Sequence, residues 1–256
     1  MEWLVSLILI GAIGYLVWDK AKIIEAPHLA MRKRLCDYYA AGSVFEDIPT
    51  ALKRGVRLLE LHVYSDEQGW PVVAKHPLNG GYDYALDNVT FQQACIDIVN
   101  DAFPSPDPFI LSINSHTENA VTLNRIADIL KTTVHRQLVD GPVLPSTPLE
   151  SLANKLVIVS GGSAAGTELD ALVNMSWAGS SLRRLSYQQG VYPREEAELV
   201  GFNRDRISIV APDASFGKTG ANVDTPFAYG CQWNLFPSSR IGPGFVEKPT
   251  SLQGRA

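Results

Sequence analysis

The chain has 256 residues, 46% of them hydrophobic and 19% charged, with a formal net charge of −5. That length supports one domain with a full core or two small ones, and the composition excludes a disulfide-stapled miniprotein, a disordered chain and a collagen-like or heptad repeat. The acidic balance argues against a nucleic-acid partner. Cys36, Cys95 and Cys231 have neither CxxC nor Cys/His spacing, so no zinc knuckle or disulfide framework is indicated.

The first segment, Trp3 to Trp18, carries no charge over sixteen residues and has tryptophan at both edges. As a helix it spans about 24 Å, slightly short of a bilayer's hydrocarbon core, and its aromatic ends suit the membrane interface. A signal peptide would want a basic start and a small-residue cleavage site, and a buried helix would want a polar face. The sequence therefore predicts a transmembrane anchor over residues 1–20. Lys20, Lys22, Arg32, Lys33 and Arg34 follow it and only Glu2 precedes it, which places the rest of the chain on the cytoplasmic side.

Downstream, eight short strand-like runs follow in order: Ile23–His28, Val56–Tyr64, Pro71–His76, Phe109–His116, Leu156–Ser160, Leu182–Gln188, Arg206–Ala211 and Gln232–Phe236. Helical patterns lie between several of them, over Asp47–Arg54, Val89–Ala102, Leu123–Val134 and Arg194–Val200. Eight strands alternating with helices predict an α/β fold of the (β/α)8 TIM-barrel type over residues 22–237, with doubly wound α/β as the alternative. Residues 238–256, rich in Gly and Pro, read as a flexible tail. FGKTG at Phe216–Gly220 lacks the earlier glycine of a phosphate-binding loop, because Pro212 stands there. The run Gly161–Gly166 reads as a tight turn after a strand rather than a dinucleotide site.

Polar residues gather at the predicted strand ends. Glu60, His62 and Tyr64 share one face of the second run by period-two alternation, and Ser112, Asn114 and His116 share one face of the fourth. His28 and His76 end the first and third runs. In a barrel the C-terminal rim is where catalytic groups converge, and histidines with a carboxylate between them suit acid–base chemistry near neutral pH. The adjacent pair Arg183 and Arg184 reads as solvated surface.

Four blocks resemble the X and Y catalytic regions of phosphatidylinositol-specific phospholipase C. They are IPTALKRGVRLLELHVYSDEQGWPVVAKH (Ile48–His76), PDPFILSINSH (Pro106–His116), LPSTPLESLANKLVIV (Leu144–Val159) and ANVDTPFAYGCQWNLF (Ala221–Phe236). The first block is equally similar to glycerophosphodiester phosphodiesterases, and the GCQ block favours the phospholipase branch. The resemblance implies a PLC-like barrel that cleaves a phospholipid or glycerophosphodiester at a membrane, with two catalytic histidines and a calcium ion. It implies His76 as the general acid, His28 as the histidine that steadies the phosphate, and Glu60 as metal ligand and base. Lys75, His116, Ser186 and Arg206 are the substrate-binding candidates.

Three departures accompany the resemblance. Leu29, His62 and Asn114 stand where the family has an asparagine, an aspartate and a glutamate among its metal ligands. Calcium prefers six to eight oxygen ligands. Glu60, His62 and Asn114 would suit a transition metal better, and with no metal at all a cation such as Lys75 would take its place. A catalytically inactive, membrane-tethered headgroup-binding module is the alternative function. The sequence leaves the oligomeric state open.

Overall fold

A computed structural model of the chain describes residues 33–44, 47–74, 88–213, 216, 222–236 and 244–252. The Trp3–Trp18 segment, Ile23–His28, Lys75 and His76 lie outside the described residues. No helix among the described residues is long and apolar enough to cross a membrane.

Among the described residues eleven strands form one sheet: β1 (Tyr38–Val44), β2 (Leu58–Ser65), β3 (Pro71–Ala74), β4 (Asn88–Thr90), β5 (Phe109–Ser115), β6 (Leu156–Ser160), β7 (Met175–Ser176), β8 (Leu182–Ser186), β9 (Ile207–Ala211), β10 (Trp233–Asn234) and β11 (Phe245–Glu247). Eight of them run parallel in the order β7-β6-β5-β2-β1-β10-β9-β8. This is chain order wrapped into a ring, as right-handed β-helix-β crossovers produce. The two ends of the path, β7 and β8, come within 8 Å Cα to Cα, but no ladder joins them among the described residues. The parallel strands thus curl toward a barrel, with no closure among the described residues.

Two apolar layers hold it. Leu59, Leu61 and Val63 of β2 and Leu111 and Ile113 of β5 face outward onto Ile98, Leu123, Ile126 and Leu130 of the flanking helices. The alternate residues, with Tyr38, Leu58, Ile110, Val157, Val159, Leu182, Ile209 and Trp233, fill the lumen. The helices begin where their caps dictate. Asp47 accepts from Thr50 N, Thr90 from Gln93 N and Asn119 from Val121 N.

Four features differ from the sequence prediction. The strand beside β2 is Tyr38–Val44, a segment without the β-branched alternation that marks strands. It uses small residues because β10 approaches closely: a Cβ on Gly42 would sit 2.6 Å from the Asn234 carbonyl oxygen. The Pro71–His76 run is no barrel strand, since β3 pairs antiparallel with β2 and with β4, outside the parallel path. Leu182–Gln188 stops as a strand at Ser186 and turns into a short helix at Tyr187. The stretch predicted as a flexible tail includes β11, antiparallel to β1, followed by Lys248, which is 1% exposed.

The end of the barrel opposite the rim is closed by buried polar groups. Gln232 of the GCQ block is fully buried. Its Nε2 donates to the carbonyls of Cys36, Asn203 and Arg206, and its Oε1 accepts from Ser208 N. Lys248 Nζ donates to the Cys36 and Asn203 carbonyls from the other side. Gln232→Ala strands those groups without water, and we expect it to lower unfolding stability by about 2–4 kcal/mol, measured by urea denaturation.

Candidate active site

The register of three strands assembles the site. Glu60 of β2 pairs with Ser112 of β5 and with Val44 of β1, and His62 pairs with Asn114. Alternation then points Glu60, His62, Ser112 and Asn114 to the lumen face, near the C-terminal ends of the parallel strands. His116 follows β5 and is held there by its own N–H, which donates to the Val63 carbonyl at 2.8 Å.

Glu60 is 2% exposed and would be costly to bury alone. Three residues surround its carboxylate. Arg184 of β8 grips it with two hydrogen bonds, Nη2 to Oε1 at 2.7 Å and Nε to Oε2 at 3.1 Å. Ser112 Oγ donates to Oε2 at 3.0 Å, and His62 Nε2 stands 3.2 Å from Oε1. Burial alone would raise the Glu60 pKa, but His62 and Arg184 outweigh it and hold the carboxyl down at about 2.

His62 Nδ1 in turn lies 2.7 Å from His116 Nε2. The two rings are 20° from parallel with centroids 4.9 Å apart. That is the separation of imidazoles joined nitrogen to nitrogen, edge to edge, in nearly one plane. Tyr64 stacks face to face on His116, 4.5 Å between centroids and 4° from parallel. His116 is itself exposed. Its pKa is pulled down to about 4, first by burial of the ring edge against β2 and then by the charges of His62 and Arg184.

Other site candidates fall elsewhere. Ser186 Oγ caps the Tyr187–Val191 helix by accepting from Gln189 N, so its hydroxyl is committed to the fold. Arg206 precedes β9 and stacks its guanidinium 5.2 Å from the Phe202 ring. It therefore sits at the N-terminal end of the barrel, away from the rim. Asn114 is half-buried opposite His62. Arg184, read as solvated from its sequence, is the residue that completes the site. The available signal was periodicity: Leu182, Arg184 and Ser186 share one face of a strand whose Leu182 is core.

The residues do not fit a calcium ion. A carboxylate has about four lone-pair directions, and those of Glu60 already face three hydrogen bonds from Arg184 and Ser112 and the His62 Nε2 at 3.2 Å. Around it stand two imidazoles and an amide where calcium would want oxygens. Among the described residues no group of three or more His, Cys, Asp and Glu is arranged to hold a metal.

Residues 35–160 match the family profile of phosphatidylinositol-specific phospholipase C, X domain, so the chain carries a PI-PLC-like catalytic region. Solved structures agree on the fold. PLC21 of S. officinalis superposes with a TM-score of 0.69 at 17% identity over 87% of this chain, and PLC21 of L. pealei with 0.70 at 17% over 88%. This chain covers only 38% of each of those proteins. A calcium-dependent phosphoinositol-specific phospholipase C from Pseudomonas sp superposes with 0.62 at 10% identity, covering 85% of this chain and 96% of that one. No curated protein matches the sequence significantly. The family match begins at residue 35, downstream of His28.

Two outcomes are expected. Arg184→Met leaves a buried carboxylate without its cation and costs about 3 kcal/mol in urea denaturation, largely restored when Glu60→Met is added. Because the Glu60 pKa is depressed on folding, its contribution is complete above about pH 4.5 and is lost as the pH falls toward 2. The melting temperature of Glu60→Gln should therefore fall less steeply with acid than that of the wild type.

Proposed function

We propose that the protein is a phosphoric diester hydrolase of the phospholipase C type that cleaves a phospholipid or glycerophosphodiester headgroup without a calcium ion. The observation that carries this reading is the continuous rim constellation of Arg184, Glu60, His62 and His116 inside a PLC-like barrel. Arg184 supplies the fixed positive charge. Its Nε and Nη2 serve Glu60, which leaves Nη1 for a phosphodiester oxygen. A hydroxyl neighbouring the phosphate attacks phosphorus, and the bond to the leaving alcohol breaks. His76, two residues beyond β3, is the acid that protonates the leaving oxygen. Trp3–Trp18 would hold the domain on the cytoplasmic face of the bilayer that carries the substrate.

One observation favours a second reading. The rim residue of β1 beside Glu60 is Val44, which has no acid–base chemistry. A headgroup-binding module without turnover needs none.

The test is incubation of the full chain with phosphatidylinositol vesicles or glycerophosphoinositol, in EGTA or with added calcium, zinc or manganese. We expect turnover that EGTA leaves unchanged and that Arg184→Gln abolishes. Turnover only with calcium overturns the metal-free reading. Vesicle binding with no turnover under any condition establishes the binding module instead.

A further inference from the structure

We propose that Glu60, His62 and His116 form a proton relay in which His116 is the general base of this reaction and His62 and Glu60 position it. The inference rests on the hydrolase reading above and assigns the base within that site.

The proton positions follow from the neighbours. An ionised carboxylate can only accept, so the His62 nitrogen that faces Glu60, Nε2, carries the hydrogen. His62 Nδ1 is then an acceptor, and the nitrogen 2.7 Å from it, His116 Nε2, must be the donor. That leaves the lone pair of the relay on His116 Nδ1, at the exposed end of the chain. Each member is fixed by something other than the relay. Arg184 and Ser112 clamp Glu60, β2 carries His62, and the Val63 carbonyl and the Tyr64 ring hold His116 in the plane of His62.

The groups that face His116 are His62, Tyr64, Arg184 and, through His62, Glu60. The lone pair on His116 Nδ1 can accept a proton, and a phosphodiester anion beside Arg184 offsets the guanidinium charge and raises the affinity of His116 for that proton. In the reaction the attacking hydroxyl gives its proton to His116 Nδ1 as its oxygen bonds to phosphorus. The leaving oxygen departs with the P–O bonding pair and takes a proton from the acid. His116 then returns its proton to solvent, and the products are a cyclic phosphodiester and an alcohol. Over the full cycle His116 gains and loses one N–H bond, and Glu60 and His62 keep their protonation states.

The test uses the full chain in mixed micelles of phosphatidylinositol with EGTA, together with nitrogen NMR of the labelled protein. We expect His116→Ala and His116→Gln to lower kcat by 10²–10⁴-fold, the usual worth of a general base, with KM little changed. His62→Ala should lower kcat less and release His116 from the Nε2–H tautomer, because the acceptor Nδ1 is gone. A purely structural role for His62 would lower activity without changing that tautomer. NMR should show both imidazoles protonated at Nε2. Wild-type turnover retained in His116→Ala overturns the relay and leaves the hydrolase reading standing. His116 protonated at Nδ1 instead of Nε2 overturns the relay whatever the activity. A wild type that cleaves no phosphodiester overturns both.

Discussion

The interior of this barrel depends on one ion pair, Glu60 with Arg184. In the parallel ring, β2 and β8 stand four steps apart among eight strands, so the pair spans the lumen between opposite walls. Burying a carboxylate without a partner is prohibitive, and the two walls must approach closely enough for a bidentate grip. β8 is also one end of the parallel path. The backbone ladder to β9 holds it on one side only, and Arg184 ties it across the lumen to the centre of the sheet. On the outer face Arg183 reinforces the same strand through Ser208, Glu198 and the Phe202 ring. Two adjacent arginines thus serve opposite faces of one strand.

A buried ion pair is a weak source of net stability, because desolvation offsets most of the Coulombic gain. Its value here lies in orientation. Arg184 and Ser112 fix the plane of the Glu60 carboxylate, and that plane sets which oxygen meets His62. His62 can then meet His116 in a common plane only because β2 and β5 are in register at His62 and Asn114, which leaves His116 just past the strand end. Each distance in the chain follows from strand pairing rather than from loops, and this gives the cluster its rigidity.

Much of this was legible in the sequence. The β2 and β5 runs, the helices after them and β6 carry strong periodic signals, and the face shared by Glu60, His62 and Tyr64 follows from alternation alone. What escaped was whatever depends on packing across the lumen. Tyr38–Val44 looks too small and too polar for a first strand, since Ala40 and Gly42 are chosen for the approach of β10 and not for strand propensity. Arg184 has no local signal apart from its strand phase, because its partner lies 124 residues away. Lys248 and β11 were hidden for the same reason: a Gly- and Pro-rich stretch reads as loose until the buried carbonyls of Cys36 and Asn203 are seen to require a donor. Ser186, a substrate-binding candidate, is consumed as a helix cap, which a strand pattern does not reveal.

The same charge count explains why the departures from the family pattern belong together. A divalent ion on Glu60 needs further anionic oxygens around it, and the positions in register hold His62, Asn114 and Val44, none of them anionic. Without those carboxylates a dication would leave the buried site strongly positive, whereas a single guanidinium cancels Glu60 and leaves the lumen neutral. Arg184 is therefore the cation that the remaining residues can accommodate. What the rim presents is the direction of its N–H groups, set by the Glu60–Arg184 pairing and by the His62–His116 hydrogen bond.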